Sequence, residues 1–232
     1  MAFKLCCSCN NQPKTVGLWD TYDQNVWTVN FPVNWTILSN RTKDNLTDCN
    51  VLVIGRYKFS TPYTSQPTTS AQYTAIASWI TGGGVLFVIH DYYGSPTTVP
   101  SSVVTSLNTA LAGIGTQARA VATSGAAPTN STSPIGTKPV SGTGAVMTDV
   151  TALYVAGPGF MSLGSSTLEF EARKTSSDPY VEIVSVEAFG AGFVVFLSDF
   201  SMLNTADSLT QITTMGNKVR LFLRNIGNIS TN

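Results

Sequence analysis

This chain has little charge. Thirteen basic and thirteen acidic residues make up 11% of its 232 residues, and they cancel. A net charge near zero removes the electrostatic case for nucleic acid or an anionic membrane surface as a partner. No run reaches the roughly 18 apolar residues of a membrane span. The opening MAFKLCCSC lacks the apolar core of about seven to fifteen residues that marks a secretory signal. The chain is therefore either used without classical secretion or has already lost a leader. No G-x-x-x-x-G-K-[ST] occurs, so a P-loop phosphate cradle is missing, and AGPGF (156–160) lacks the strand-to-helix context of a dinucleotide site. No cofactor is expected.

Cysteine and histidine are scarce too. Cys6 and Cys9 have the C-x2-C spacing of half a zinc site, but only Cys49 and His90, the single histidine, are left to complete it. That ligand count argues against a metal. A bridge from the Cys6–Cys7–Cys9 cluster to Cys49 is the alternative, with its partner undetermined. Thiols on an N-terminal segment are the favoured reading.

What is present is globular: 43% hydrophobic and 10% aromatic residues, in a length that suits one domain. Solvation falls to Ser and Thr, roughly a quarter of the chain, well above average usage. Such a surface is common in extracellular and virion-type proteins. The N-x-[ST] sequons at Asn34, Asn40, Asn45, Asn130 and Asn228 are mostly what chance gives in so Asn-, Ser- and Thr-rich a chain.

TVGLWDTY (15–22) and NWTILS (34–39) read as strands, and NVLVIGRY (50–57) as a β-branched strand buried on both faces. SAQYTAIASWIT reads as a helix capped by Ser70 and stopped by Gly82 to Gly84. VLFVIHD (85–91) is a second buried strand. Strand, crossover helix and strand imply parallel pairing. A helix is expected over 99–115 with Gly113 near its end, and irregular chain over 116–150. ALYVAGPG, STLEFEARK and YVEIVSVEAFG look like short antiparallel strands. GFVVFLSDF (192–200) is a third buried strand, and a last helix runs from about Asp207 to Arg224. The aromatics Trp19, Tyr22, Trp27, Phe31 and Trp35 are expected to roof the core, with a partner- or sugar-facing patch as the alternative.

Three stretches together resemble the class I glutamine-amidotransferase-like domains, in their non-amidotransferase branch of ThuA-like proteins and the related domain of intraflagellar-transport proteins. LTDCNVLVIG (46–55) is similar to that branch's turn and D-x-L-V-I strand, with Asn50 where an aspartate is common. SAQYTAIASWITGGGVLFVIHD (70–91) resembles its helix, glycine turn and strand ending in Asp. FGAGFVVFLSDFSMLN with GNKVRLFLRNI (189–226) resembles the G-x-G-x-V-V-x-x-x-D strand and closing helix. The resemblance implies a flavodoxin-like α/β domain over 15–227: a mostly parallel central sheet flanked by helices, plus a short antiparallel β extension. Residues 1–14 would precede it as a Cys-containing segment, and 228–232 would form a tail. The amidotransferase Cys and its downstream His and Glu are absent, because the elbow reads I-H-D-Y-Y-G and no histidine follows it.

Ligands of open parallel α/β sheets bind beyond the carboxyl ends of the strands. The three buried strands end in Arg56, His90-Asp91 and Ser198-Asp199, which parallel pairing would gather on one edge. On an enzymatic reading, His90 is a general base held by Asp91 or Asp199, with Ser198 or a water as nucleophile. On a binding reading, Arg56, His90 and Asp199 hold a small ligand or carbohydrate. On the structural reading, the same side chains satisfy backbone groups and hold loops. The last is preferred. The chain is expected to be a non-catalytic interaction or structural module whose partners are other proteins or copies of itself. A virion or cytoplasmic assembly fits it, and its location is left open.

Overall fold

The computed structural model describes residues 13–19, 31–32, 34–38, 46–55, 69–90, 101–121, 136–139, 144–150, 159–173, 181–198 and 209–231. Ten strands occur among them: β1 (Thr15–Trp19), β2 (Thr36–Leu38), β3 (Val51–Gly55), β4 (Val85–Ile89), β5 (Arg119–Val121), β6 (Gly136–Pro139), β7 (Phe160–Ser162), β8 (Thr167–Arg173), β9 (Val181–Phe189) and β10 (Gly192–Leu197). The helices are α1 (Ser70–Thr81), α2 (Ser101–Ile114) and α3 (Leu209–Asn228).

Eight strands form one sheet in the order β2-β1-β3-β4-β10-β9-β8-β6, and β5 pairs with β7 beside it. The first five run parallel. Counting β10 as the fifth, their order is the flavodoxin-like 2-1-3-4-5. The last three add on antiparallel. This is the antiparallel extension expected from the sequence, with β8 and β9 of seven and nine residues.

Alternation along the central strands divides the core into two layers. Leu52, Ile54, Leu86, Val88, Val194 and Phe196 pack with Ile76 and Ile80 of α1 and Leu107 and Leu111 of α2. Val51, Val53, Val85, Phe87, Val195 and Leu197 pack on the other face with Phe222, Leu223 and Ile226 of α3. Burial on both faces is why these strands read as unbroken apolar runs. Each large side chain so buried contributes about 2 kcal/mol.

Several local expectations shift. The cap of α1 is Thr69, which forms a reciprocal capping box with Gln72, rather than Ser70. Gly115, with φ of 97°, follows the end of α2 and donates to the Leu111 carbonyl. Gly113 instead lies against the Tyr73 ring of α1. The stretch 116–150, expected to be irregular, contains β5, β6 and a 3-10 turn at Ala145–Met147. Its Gly/Ser/Thr/Pro composition hid strands that are short and paired at a distance. The last helix continues past Arg224 to Asn228, and the residues after it are held: Thr231 N–H and the Ser230 hydroxyl both donate to the Gly83 carbonyl. Phe31 and Trp35 stack at 5.5 Å within the core, as expected of roofing aromatics; Tyr22 and Trp27 lie outside the described residues.

Candidate functional site

Asn50 aligns the strands that lead to the sheet's carboxyl edge. Its side-chain oxygen accepts from Thr15 N–H at 2.7 Å, and its carbonyl accepts from Val85 N–H at 3.0 Å. It thus joins the starts of β1, β3 and β4. An aspartate at this position would offer the same acceptor.

At the other end of these strands, Gly55 of β3 and Leu197 of β10 both stand in register with Ile89 of β4. The next row places His90 beside Ser198, and His90 N–H donates to the Leu197 carbonyl at 2.8 Å. Parallel pairing therefore gathers these strand ends as expected. Arg56, Asp91 and Asp199 lie outside the described residues.

The two described candidates are enclosed. His90 is 1% exposed and Ser198 is 1% exposed. The Ser198 hydroxyl donates to the Glu182 carbonyl at 2.6 Å, and its backbone N–H donates to Ile183 at 2.9 Å. Gly159 closes the layer from above. Its N–H donates to the Ser198 carbonyl at 2.6 Å, and a Cβ there would lie 2.7 Å from His90 Cδ2. Only glycine fits between the imidazole and the strand end.

Burial lowers the His90 pKa from 6.5 to about 4, because the charged imidazolium would lose its hydration. The ring is therefore neutral through the physiological range, and a general base is most effective with a pKa near the working pH. Ser198 uses its proton on a backbone carbonyl. The described part of the edge is built as a hydrogen-bonded seam.

Three contributors were missed by sequence reasoning. Gly159 stands in AGPGF, which the sequence offers as the end of a short strand and as a dinucleotide motif without its context, neither of which marks a close approach to His90. Ile183 lies at a β-bulge: Phe170 pairs with Val184 and Glu171 with Glu182, leaving Ile183 as the extra residue beside Ser198. Glu187 is buried, and its carboxylate accepts from Gln117 N–H at 3.0 and 3.1 Å and Ala118 N–H at 3.4 Å. It fixes the chain leaving α2 to the sheet.

Of the weak metal candidates, Cys49 is buried with its carbonyl accepting from Trp79 Nε1 at 3.2 Å, and Cys6 and Cys9 lie outside the described residues. No group of three His, Cys, Asp or Glu side chains suited to a metal occurs among the described residues. No helix among them is long and apolar enough to cross a membrane.

No family model matches the chain, and no curated protein sequence matches it. Solved structures do. The cytoplasmic protein STM1381 from Salmonella typhimurium LT2 superposes with a TM-score of 0.63 at 14% identity, covering 94% of this chain and 100% of its own. The cytoplasmic protein STM3548 from Salmonella typhimurium gives 0.59 at 13% identity over 92% and 97%. The mmIFT52 N-terminal domain gives 0.56 at 11% identity over 87% and 96%, which fits the intraflagellar-transport-type branch that the sequence resembles. At these identities the likeness is one of fold.

Proposed function

We propose that this chain is a non-catalytic interaction or structural module on an amidotransferase-like fold, working inside a larger protein assembly such as a virion or surface structure. One observation carries the reading: the strand-end His90 and Ser198, placed where such folds do chemistry, are enclosed, His90 against Gly159 and Ser198 with its hydroxyl donated to the Glu182 carbonyl. The surface chemistry supports it. Neither α1 nor α2 contains an acidic or basic residue, so this face can meet a partner without desolvating charge. Val121, 39% exposed, is the one large hydrophobic exposed among the described residues, so contacts would be polar and neutral. The likeness to the mmIFT52 N-terminal domain is compatible with an assembly role.

The rival is a hydrolase or a small-ligand or carbohydrate binder using Arg56, His90, Asp91 and Asp199, favoured by the gathering of strand ends on one edge. Replacing His90 and Asp199 with Ala separates the two. The module reading expects altered stability or assembly and no turnover to lose in a hydrolase and ligand screen. Intact assembly with lost turnover or binding would sink it.

A further inference from the structure

Glu169 is the least expected buried group in the molecule. It is 3% exposed, on β8, in a stretch whose alternation would aim it at solvent. A bulge redirects it. Leu168 pairs with Ser185 and Phe170 with Val184, so Glu169 is the extra residue between them. Its carboxylate reaches the 3-10 turn, where it accepts from the Met147 N–H at 3.1 Å and from the Val146 N–H. Gly144 lies directly against its Oε1, with no room for a Cβ.

The same turn is gripped from the helix side. Asn225 of α3 donates to the Val146 carbonyl at 3.1 Å and the Thr148 carbonyl at 2.8 Å. Val146 and Met147 themselves are buried in the core layer with Phe170 and Phe222. Asp149, just beyond, has φ of 60°, a left-handed backbone that persists where its surroundings impose it. Segment 144–150 is thus a strained plug held by one carboxyl on the sheet and one amide on the helix.

We propose that the Glu169 carboxyl is a proton-operated latch, seating segment 144–150 firmly while neutral and loosening it on ionisation. The neutral acid fits the dry site and still offers an acceptor to the turn. The carboxylate gains hydration only when the segment lifts. Burial raises the carboxyl pKa from 4.5 to about 7, and the two amides only partly oppose that rise. The ionisable groups on the surrounding elements are Glu171 and Arg173 on β8, Glu182 and Glu187 on β9, Lys138 on β6, Asp149 after the turn, and Lys218, Arg220 and Arg224 on α3. Glu187 serves the opposite face, at Gln117 and Ala118. Desolvation, not one of these charges, is the main cause of the rise.

The test is amide hydrogen exchange over 144–150 in the full chain, corrected for intrinsic exchange, from about pH 5 to about pH 8. Opening should increase on the order of 100-fold across that range, as the raised carboxyl requires. Glu169→Gln should abolish the dependence, and Glu171→Gln should keep it. A flat wild type, or the same slope in Glu169→Gln, would overturn the latch. If Glu169→Gln does not fold, carboxyl-carbon NMR of the wild-type protein decides. A Glu169 midpoint near 7 supports the latch, and one below about 5 overturns it.

Discussion

The two halves of the eight-stranded sheet are built on different terms. In the parallel half, β3, β4 and β10 present Val, Leu, Ile and Phe to both faces. In the antiparallel half, β8 and β9 bury Glu169, Ser185 and Glu187 among their apolar residues and carry two bulges. The first half is a scaffold held by dispersion and dehydration. The second is a fitting piece, where individual carboxyl groups fasten the turn at 144–150 and the chain after α2. Specific attachment there replaces bulk burial.

The largest effect should come from the parallel half. Phe87→Ala removes a fully buried ring that meets Phe222 edge-on at 6.1 Å, and should cost about 3–5 kcal/mol in chemical denaturation. A loss below about 1 kcal/mol would mean that this layer is not packed as described.

The pH dependence of stability should split by half. His90 has its pKa lowered by burial, so its contribution is present above 6.5 and lost as pH falls from 6.5 towards 4. Glu169 has its pKa raised by burial, so the fold is favoured at low pH and loses stability as pH rises from 4.5 towards 7. Each amounts to about 3 kcal/mol, and over the shared window they oppose. Denaturation midpoints measured against pH should therefore slope downwards with acid in Glu169→Gln and downwards with base in His90→Asn. Parallel slopes in the two variants would break the comparison.

Glu187→Ala should cost about 2 kcal/mol, because the amides of Gln117 and Ala118 lose their side-chain acceptor. Ser185→Ala should be the smallest change, within about 1 kcal/mol of neutral, since the buried hydroxyl makes no hydrogen bond among the described residues. Thermal or urea unfolding reads both.

The same contrast explains what was legible in the sequence. VLVIG, VLFVI and GFVVFL announce strands buried on both faces, and the helix between the first two forces parallel pairing. Hence the parallel core and its gathered strand ends followed from pattern alone. In the antiparallel half STLEFEARK and YVEIVSVEAFG read as strands, but their bulges were hidden. In TLEFEAR, simple alternation sends Glu169 outwards, and nothing local reports the bulge that turns it in. β6, with the sequence GTKP, has no strand signature and forms by pairing with β8. His90 could be located from sequence but not its enclosure, which depends on Gly159, roughly seventy residues away and outside any apolar period.

The central claim is that the strand-end histidine is structural. His90 is the single histidine in the chain, so its imidazole nitrogens give unambiguous NMR signals without assignment by mutation. A titration should show a neutral ring from about pH 8 down to about pH 5, with protonation near 4. A midpoint between about 6 and 7.5 would mark a solvated, chemically available imidazole and contradict the account.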